Sequence, residues 1–239
     1  MKVTVLQNIM SANDKTAEKN QEIFNKNQIL AVNVMSSPGA GKTSLILETI
    51  KQLRDRVKMF VIEADIASTM DADRIVKEGI PAIQINTGGE CHTDANMLSA
   101  ALDKLPLKNI ELLFLENVGN LVCPAEFRLG TQKNIMLLSV PEGDDKPYKY
   151  PLMFCSVDAV AISKVDYLSL LDFNLDQFEK TLTGMNRKAQ IFRVSVKTGE
   201  GMDEWIKWLE EQLKKVEGYV DQSVIPESLR YDDDTLVKQ

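Results

Sequence analysis

Eight residues, Ser36-Ser37-Pro38-Gly39-Ala40-Gly41-Lys42-Thr43, join a short apolar run, Ile29–Met35, to a helical pattern that extends from Thr43 to Arg54. A glycine-rich turn between strand and helix lets backbone N–H groups converge on phosphate oxygens at the helix N-terminus. It also commits the chain to a βα unit, whose natural setting is a parallel sheet. In such a loop Gly39, Ala40 and Gly41 would turn their N–H groups inward, and Lys42 would reach the β- and γ-phosphates. The Thr43 hydroxyl would bind Mg²⁺, with Ser44 completing the nucleotide-contacting set. Ser36 stands where the usual pattern has its first glycine, and Pro38 stiffens the turn.

Six further apolar runs, at 57–63, 82–85, 110–115, 135–140, 157–162 and 190–194, are short and partly β-branched. Helical patterns at 71–78, 93–104, 174–185 and 202–216 stand between several of them. This alternation predicts an α/β fold, a mostly parallel sheet with helices on both faces. The polar run Ser11–Lys26 lacks Pro and Gly and reads as an exposed or amphipathic helix. The end of the chain contains Asp232-Asp233-Asp234 and reads as a mobile acidic tail. The expected organisation is a helical extension over 1–28, a nucleotide domain over 29–216 and the tail over 217–239. With 239 residues, one domain with extensions is expected rather than two.

Composition narrows the partners. A net charge of −7 argues against a duplex nucleic-acid binder. No apolar run approaches the ~18–20 residues a membrane span requires. The start, Met1-Lys2-Val3-Thr4-Val5-Leu6-Gln7, is too soon polar for a signal peptide. Three cysteines argue against a disulfide framework and for a reducing, cytoplasmic setting.

Ser163-Lys164-Val165-Asp166 follows the run at 157–162 and is similar to the Asn-Lys-x-Asp guanine motif with Ser for Asn. A carboxylate at Asp166 could accept from both N1–H and the 2-amino group of guanine, a donor pair that adenine lacks. The stem of Lys164 would cover the base plane, and Ser195-Val196-Lys197 fits the supporting loop through Ser195 and Lys197. Two acidic segments bear on Mg²⁺ and on the attacking water. Asp65 and Asp71 are candidates for either role, with helix capping or a surface position as the alternative. Glu116-Asn117-Val118-Gly119 stands in the place of an Asp-x-x-Gly switch. There the Gly119 N–H would sense the γ-phosphate and Glu116 would lie near the metal. Lys42, Asp65, Asp71 and Glu116 are thus the catalytic candidates, and slow intrinsic hydrolysis is expected because no catalytic Gln or arginine finger is evident.

The single histidine, His92, adjoins Cys91, and Cys123 lies four residues beyond Gly119. Two sulfurs and an imidazole suit Ni²⁺ or Zn²⁺. Four extended residues span at most ~13–14 Å, so a shift at Gly119 could move Cys123 directly. Three ligands leave a four-coordinate ion one short; water, a second protomer or a client could supply the remainder. Cys155 lies in an apolar stretch and is expected to serve packing.

These residues resemble the hydrogenase nickel-incorporation GTPases, the HypB family, from the first helix to about Gly201. The most specific matches are the phosphate loop, Asp71-Ala72-Asp73-Arg74-Ile75, Thr87-Gly88-Gly89-Glu90-Cys91-His92, and Glu116 to Pro124. The resemblance implies a dimerising (SIMIBI-type) P-loop GTPase that binds nickel or zinc at Cys91, His92 and Cys123. It further implies homodimerisation with GTP or metal, a HypA-type nickel chaperone as partner, and a hydrogenase large-subunit precursor as client. Ser36 is normal for this family; Ser163 departs from its commoner Asn. The N-terminal Cys-x-x-Cys and histidine-rich stretches of some members are not in this sequence. A urease-accessory nickel GTPase would carry Cys-Pro-His where Cys123-Pro124 is followed by Ala125. A nucleotide kinase would need an arginine-rich lid segment, which is not evident. A GTP-driven assembly protein with a purely structural metal is the remaining alternative.

Overall fold

The structure, a computed structural model, describes residues 9–66 and 70–216. The proposed acidic tail lies outside them. Strand β1 (Leu30–Ser36) is central. On one side β4 (Leu112–Glu116), β2 (Met59–Asp65) and β3 (Ala82–Asn86) follow outward; on the other side stand β5 (Lys133–Ser139), β6 (Ala159–Ser163) and β7 (Gln190–Val194). Every pairing is parallel, with Leu30 opposite Leu112 and Val32 opposite Lys133 flanking the centre. The expected fold class is the observed one.

Helices cover both faces. Helices α2 (Lys42–Leu53) and α9 (Met202–Leu213) bury Leu45, Ile46, Ile50, Trp205 and Leu209 against one face. On the other face α1 (Ile9–Lys26) and α4 (Ala95–Leu102) contribute Phe24 and Leu98, while α8 (Leu175–Met185) contributes Phe178 and Leu182. Burying each such side chain contributes about 1.5–3 kcal/mol. Buried on both faces, the central strands read as almost unbroken apolar runs.

Strands β2, β4 and β6 start two residues later than the apolar runs suggest, and before β2 and β4 the preceding turn claims the first residue. Val57, for example, bonds Leu53 O at the end of α2. Helix α3 (Met70–Lys77) follows β2, and short helices α5 (Cys123–Glu126), α6 (Lys146–Lys149) and α7 (Pro151–Cys155) fill connections. The expectation that Cys155 packs internally is corrected. Met153 and Phe154 turn inward on α7, and helical periodicity leaves Cys155 exposed.

The chain leaves β1 toward β2 on one side and later crosses to β5 on the other. The crevice at the carboxyl ends of the strands therefore opens beside β1, where ligands of such sheets bind.

Candidate nucleotide cleft and metal centre

The phosphate loop begins where β1 ends. Gly39 (φ 77°) and Gly41 (φ 106°) adopt the left-handed conformations that turn the backbone inward. Several side chains hold the loop in place. Lys42 Nζ donates to Ser36 Oγ at 3.2 Å, Ser37 Oγ donates to Glu142, and Lys164 Nζ donates to Gly39 O at 2.8 Å. Ser163 is buried and donates to Ala40 O at 2.7 Å, so the residue that departs from the guanine motif has a defined task in supporting the loop. Gly119 presses on Pro38; a Cβ there would stand 2.9 Å from the proline nitrogen and Cγ. A cleft of about 480 Å³ opens over the loop, lined by Lys42, Thr43 and Ser44 together with Asp65, Asp71, Glu116, Gly119 and Lys164.

The cleft floor is acidic. Parallel register sets Glu63 of β2 directly opposite Glu116 of β4, and oxygens of Glu63, Asp71 and Glu116 come within 4.8 Å of one another. Thr43 Oγ1 donates to Glu116 Oε1 at 2.8 Å, while Oε2 of Glu63 and of Glu116 has no partner among the described residues. Burial, then the neighbouring Glu116, Asp65 and Asp71 charges, push the Glu63 pKa up to about 8. Burial raises Glu116 to about 7 against the pull of Lys42 and the Thr43 hydrogen bond. Two buried, incompletely bonded carboxylates and the half-buried Asp71, which also accepts from Arg74 at 3.1 Å, converge beside a hydroxyl and form a donor set of the hard-oxygen type that fits Mg²⁺. Asp65 lines the same cleft but is not among the three that converge.

At the far end of the loop, Lys164 takes a left-handed conformation (φ 58°), which turns its stem back over the loop. Ser195 Oγ donates to Asp166 Oδ1 at 2.7 Å, and Lys197 Nζ lies 3.9 Å from Asp166 Oδ2. Ser195 thus orients Asp166 and leaves its outer oxygen near the exposed Lys197.

Cys91 and His92 occupy the loop between β3 and α4. The expected helix start at Thr93 is displaced: Asp94 is the N-cap, accepting from Met97 N at 2.7 Å, and the helix begins at Ala95. Cys123 opens α5, after β4. Tertiary structure brings Cys91 Sγ to 3.0 Å from Cys123 Sγ, and the three ligand atoms lie within 4.8 Å of one another. His92 Nδ1 is buried without a hydrogen-bond partner among the described residues, and the ring lies tilted against Phe127 at 3.9 Å between centroids. Bonds of about 2.0–2.3 Å around one ion place ligand atoms at most ~4.6 Å apart, so the set is close to the size of a metal centre. The shared hydrogen bond with Cys91, together with burial, raises the Cys123 thiol above its ordinary pKa. A cation displaces that proton.

The two sites share one segment. Asn120 N donates to Ser36 O at 2.8 Å, beneath the phosphate loop, while Asn120 Nδ2 donates to Cys91 O at 3.2 Å and Oδ1 accepts from Val122 N at 2.9 Å. Buried Asn117 accepts from Thr93 N and donates to Asn33 Oδ1 in the central strand. Reading the sequence missed Glu63, Asn117 and Asn120 as functional candidates. A carboxylate ending an apolar strand run was the available signal for Glu63; the two asparagines had none beyond their place in the switch motif.

A phosphate loop at the carboxyl edge of the central strand, with a Ser-Lys-Val-Asp base loop beside it, defines a P-loop nucleotide-binding protein of the GTPase fold. Residues 30–193 match the family described as CobW/HypB/UreG, nucleotide-binding domain. The chain belongs to that family and within it stands with the HypB hydrogenase maturation factors. Hydrogenase maturation factor HypB of Escherichia coli K12 is 45% identical over 204 residues, 85% of this chain and 70% of that one. The structure of HypB from Helicobacter pylori in complex with nickel superposes with a TM-score of 0.81 at 41% identity, covering 85% of this chain and 95% of that one. An LAO/AO transport system kinase (TM-score 0.54, 14% identity, covering 90% and 78%) shares the fold alone. No described helix is long and apolar enough to cross a membrane.

Proposed function

We propose that this protein is a GTP-hydrolysing metallochaperone that helps insert nickel into the active site of NiFe-hydrogenase during its maturation. The kinship with HypB proteins, one of them solved with nickel, supports the activity class and the cargo. The observation that carries the mechanism is Asn120, bonded to Ser36 O on the nucleotide side and to Cys91 O on the metal side.

The loop N–H groups and Lys42 hold the phosphates, while Asp166 selects guanine with Lys164, Ser195 and Lys197 in support. Thr43, Glu116, Glu63 and Asp71 would hold Mg²⁺, with Asp65 at the rim; the ion, when bound, neutralises charge developing on the β- and γ-phosphoryl oxygens. Asp65 and Asp71 are also the candidates for orienting the attacking water. Gly119 meets the γ-phosphate, and its displacement travels through Asn120 to Cys91 and along the chain to Cys123. Hydrolysis then resets the separation of the two sulfurs, which changes how tightly the cargo is held. Ni²⁺ is the proposed cargo, with Zn²⁺ compatible with the same ligands. Three ligands favour completion by a second copy of the chain or by a client. The exposed Leu170 and Leu171, beyond the base loop, offer a second copy an apolar surface. The proposed partners are a HypA-type nickel chaperone and the hydrogenase large-subunit precursor, in the cytoplasm.

The test is a nickel titration with GDP and with a non-hydrolysable GTP analogue, read beside particle size. Coupling of about 1–3 kcal/mol would separate the two affinities roughly 5- to 150-fold. Identical affinities would sink the coupling, because a ligand that favours neither state shifts nothing.

A further inference from the structure

Asn13, Ala17, Asn20 and Phe24 fall at helical spacing along one face of α1, and all four are buried. Half of this inner stripe is polar, which packing on an apolar core does not require. Both asparagines are bonded to the backbones of the same two segments, the first residue of α4 and the loop that follows α5. Asn13 Oδ1 accepts from Ala95 N at 2.9 Å while its Nδ2 donates to Arg128 O at 2.8 Å. Asn20 Nδ2 donates to Ala95 O at 2.9 Å and to Leu129 O at 3.1 Å. Asn20 Oδ1 is buried with no partner among the described residues, a burden that leucine at this position would avoid. Gly130 (φ 90°) brings the second segment so close to α1 that a Cβ would stand 2.1 Å from Ala17 O.

The two segments adjoin those that carry the candidate metal ligands. Ala95 follows His92 by three residues, and Arg128 and Leu129 follow Cys123 by five and six. Capping of α4 explains the bond to Ala95 N, since first-turn amides lack helical partners. It does not explain bonds to Arg128 O and Leu129 O.

We propose that α1 is a positioning element of the metal centre: Asn13 and Asn20 set the separation between the loop bearing Cys91 and His92 and the loop bearing Cys123. The proposal rests on reading those three residues as the nickel site. Ligand groups must be held within about 0.5 Å of productive geometry by their supporting shell. Asn117 and Asn120 hold the same loops from the nucleotide side. The cargo thus sits between a nucleotide-responsive support and a fixed one.

Full-length Asn20→Leu and Asn13→Asp variants test this, with added Ni²⁺ as the probe. Asn20→Leu removes both of its bonds; Asn13→Asp keeps the acceptor for Ala95 N and removes the donor to Arg128 O. Nickel dissociation constants are expected to rise at least about tenfold, with weaker thiolate-to-nickel absorption. GDP affinity should stay within about twofold, since neither residue touches the cleft. A folded variant that binds nickel as the wild type does would overturn the proposal. A second measurement uses the wild type alone: nickel should slow amide exchange in α1, since coupling is reciprocal. Unchanged exchange there would also overturn it. If nickel binding to the wild type is indifferent to Cys91→Ser, the nickel-site reading itself fails and this one falls with it. Wild-type binding that needs Cys91 but ignores both asparagines fails α1 alone.

Discussion

Replacing Gly119 with alanine puts a methyl group into a contact that has no room for it. The new Cβ would stand 2.9 Å from Pro38 Cγ and N and 3.0 Å from its Cα. Carbons in contact sit ~3.5–4.0 Å apart, so switch and loop must separate by about 0.5–1 Å. Pro38 cannot easily yield, because its neighbours Ser37 and Gly39 are held by Glu142 and Lys164. The switch moves instead, and the Asn120 N to Ser36 O bond of 2.8 Å stretches with it. Overpacking of this kind costs about 1–3 kcal/mol. If that cost falls on the state in which Gly119 meets the γ-phosphate, affinity for a GTP analogue drops roughly 5- to 150-fold while GDP affinity changes little. Titration with fluorescent GDP and a non-hydrolysable GTP analogue, with thermal unfolding alongside, measures both. Gly184→Ala in α8, where nothing lies within 4 Å of the added Cβ, is the control and should stabilise by about 0.5–1 kcal/mol. Equal losses for the two nucleotides, or none, from folded Gly119→Ala would refute the reasoning.

The acidic floor makes stability depend on pH. Glu63 and Glu116 titrate near about 8 and about 7 in the folded state against 4.5 as the ordinary value, so the folded protein holds protons that the unfolded chain has released. Their contribution is complete below about pH 4.5 and is lost as pH rises through about 7 to 8; melting temperature without Mg²⁺ should fall across that window, recover with Mg²⁺, and fall less in Glu63→Gln. Parallel melting curves for wild type and Glu63→Gln would contradict this. Asp166→Asn replaces the proposed acceptor for the guanine donor pair; GDP affinity should drop at least about a hundredfold and XDP affinity should rise, as competition binding would show. Cys123→Ala should abolish the nickel–thiolate absorption band without lowering the melting temperature of the metal-free protein, whereas loss of folded protein on making this change would favour a structural metal.

Local chemistry was legible in the sequence because it depends on residues close along the chain. The phosphate loop needs its glycines, its lysine and the strand and helix on either side of it, all within 29–54, and the base loop needs four consecutive residues after a strand. Alternating runs likewise predicted the parallel sheet. Helix α1 was the least legible element: Asn13 and Asn20 make it look polar and detached, yet each is buried against loops more than seventy residues away. Glu63 joined the acidic floor only through the register that sets it opposite Glu116.

The sequence by itself determined which groups are present and the unit that presents the phosphates, since strand, turn and helix form from neighbouring residues. Only the tertiary structure brought the candidate metal ligands together. Cys91 and Cys123 are separated by thirty-two positions and come to 3.0 Å because parallel pairing sets the ends of β3 and β4 at one edge. Asn117 and Asn120 tie that β4 end to Thr93 N and Cys91 O, while α1 bonds to Ala95, Arg128 and Leu129 beyond them.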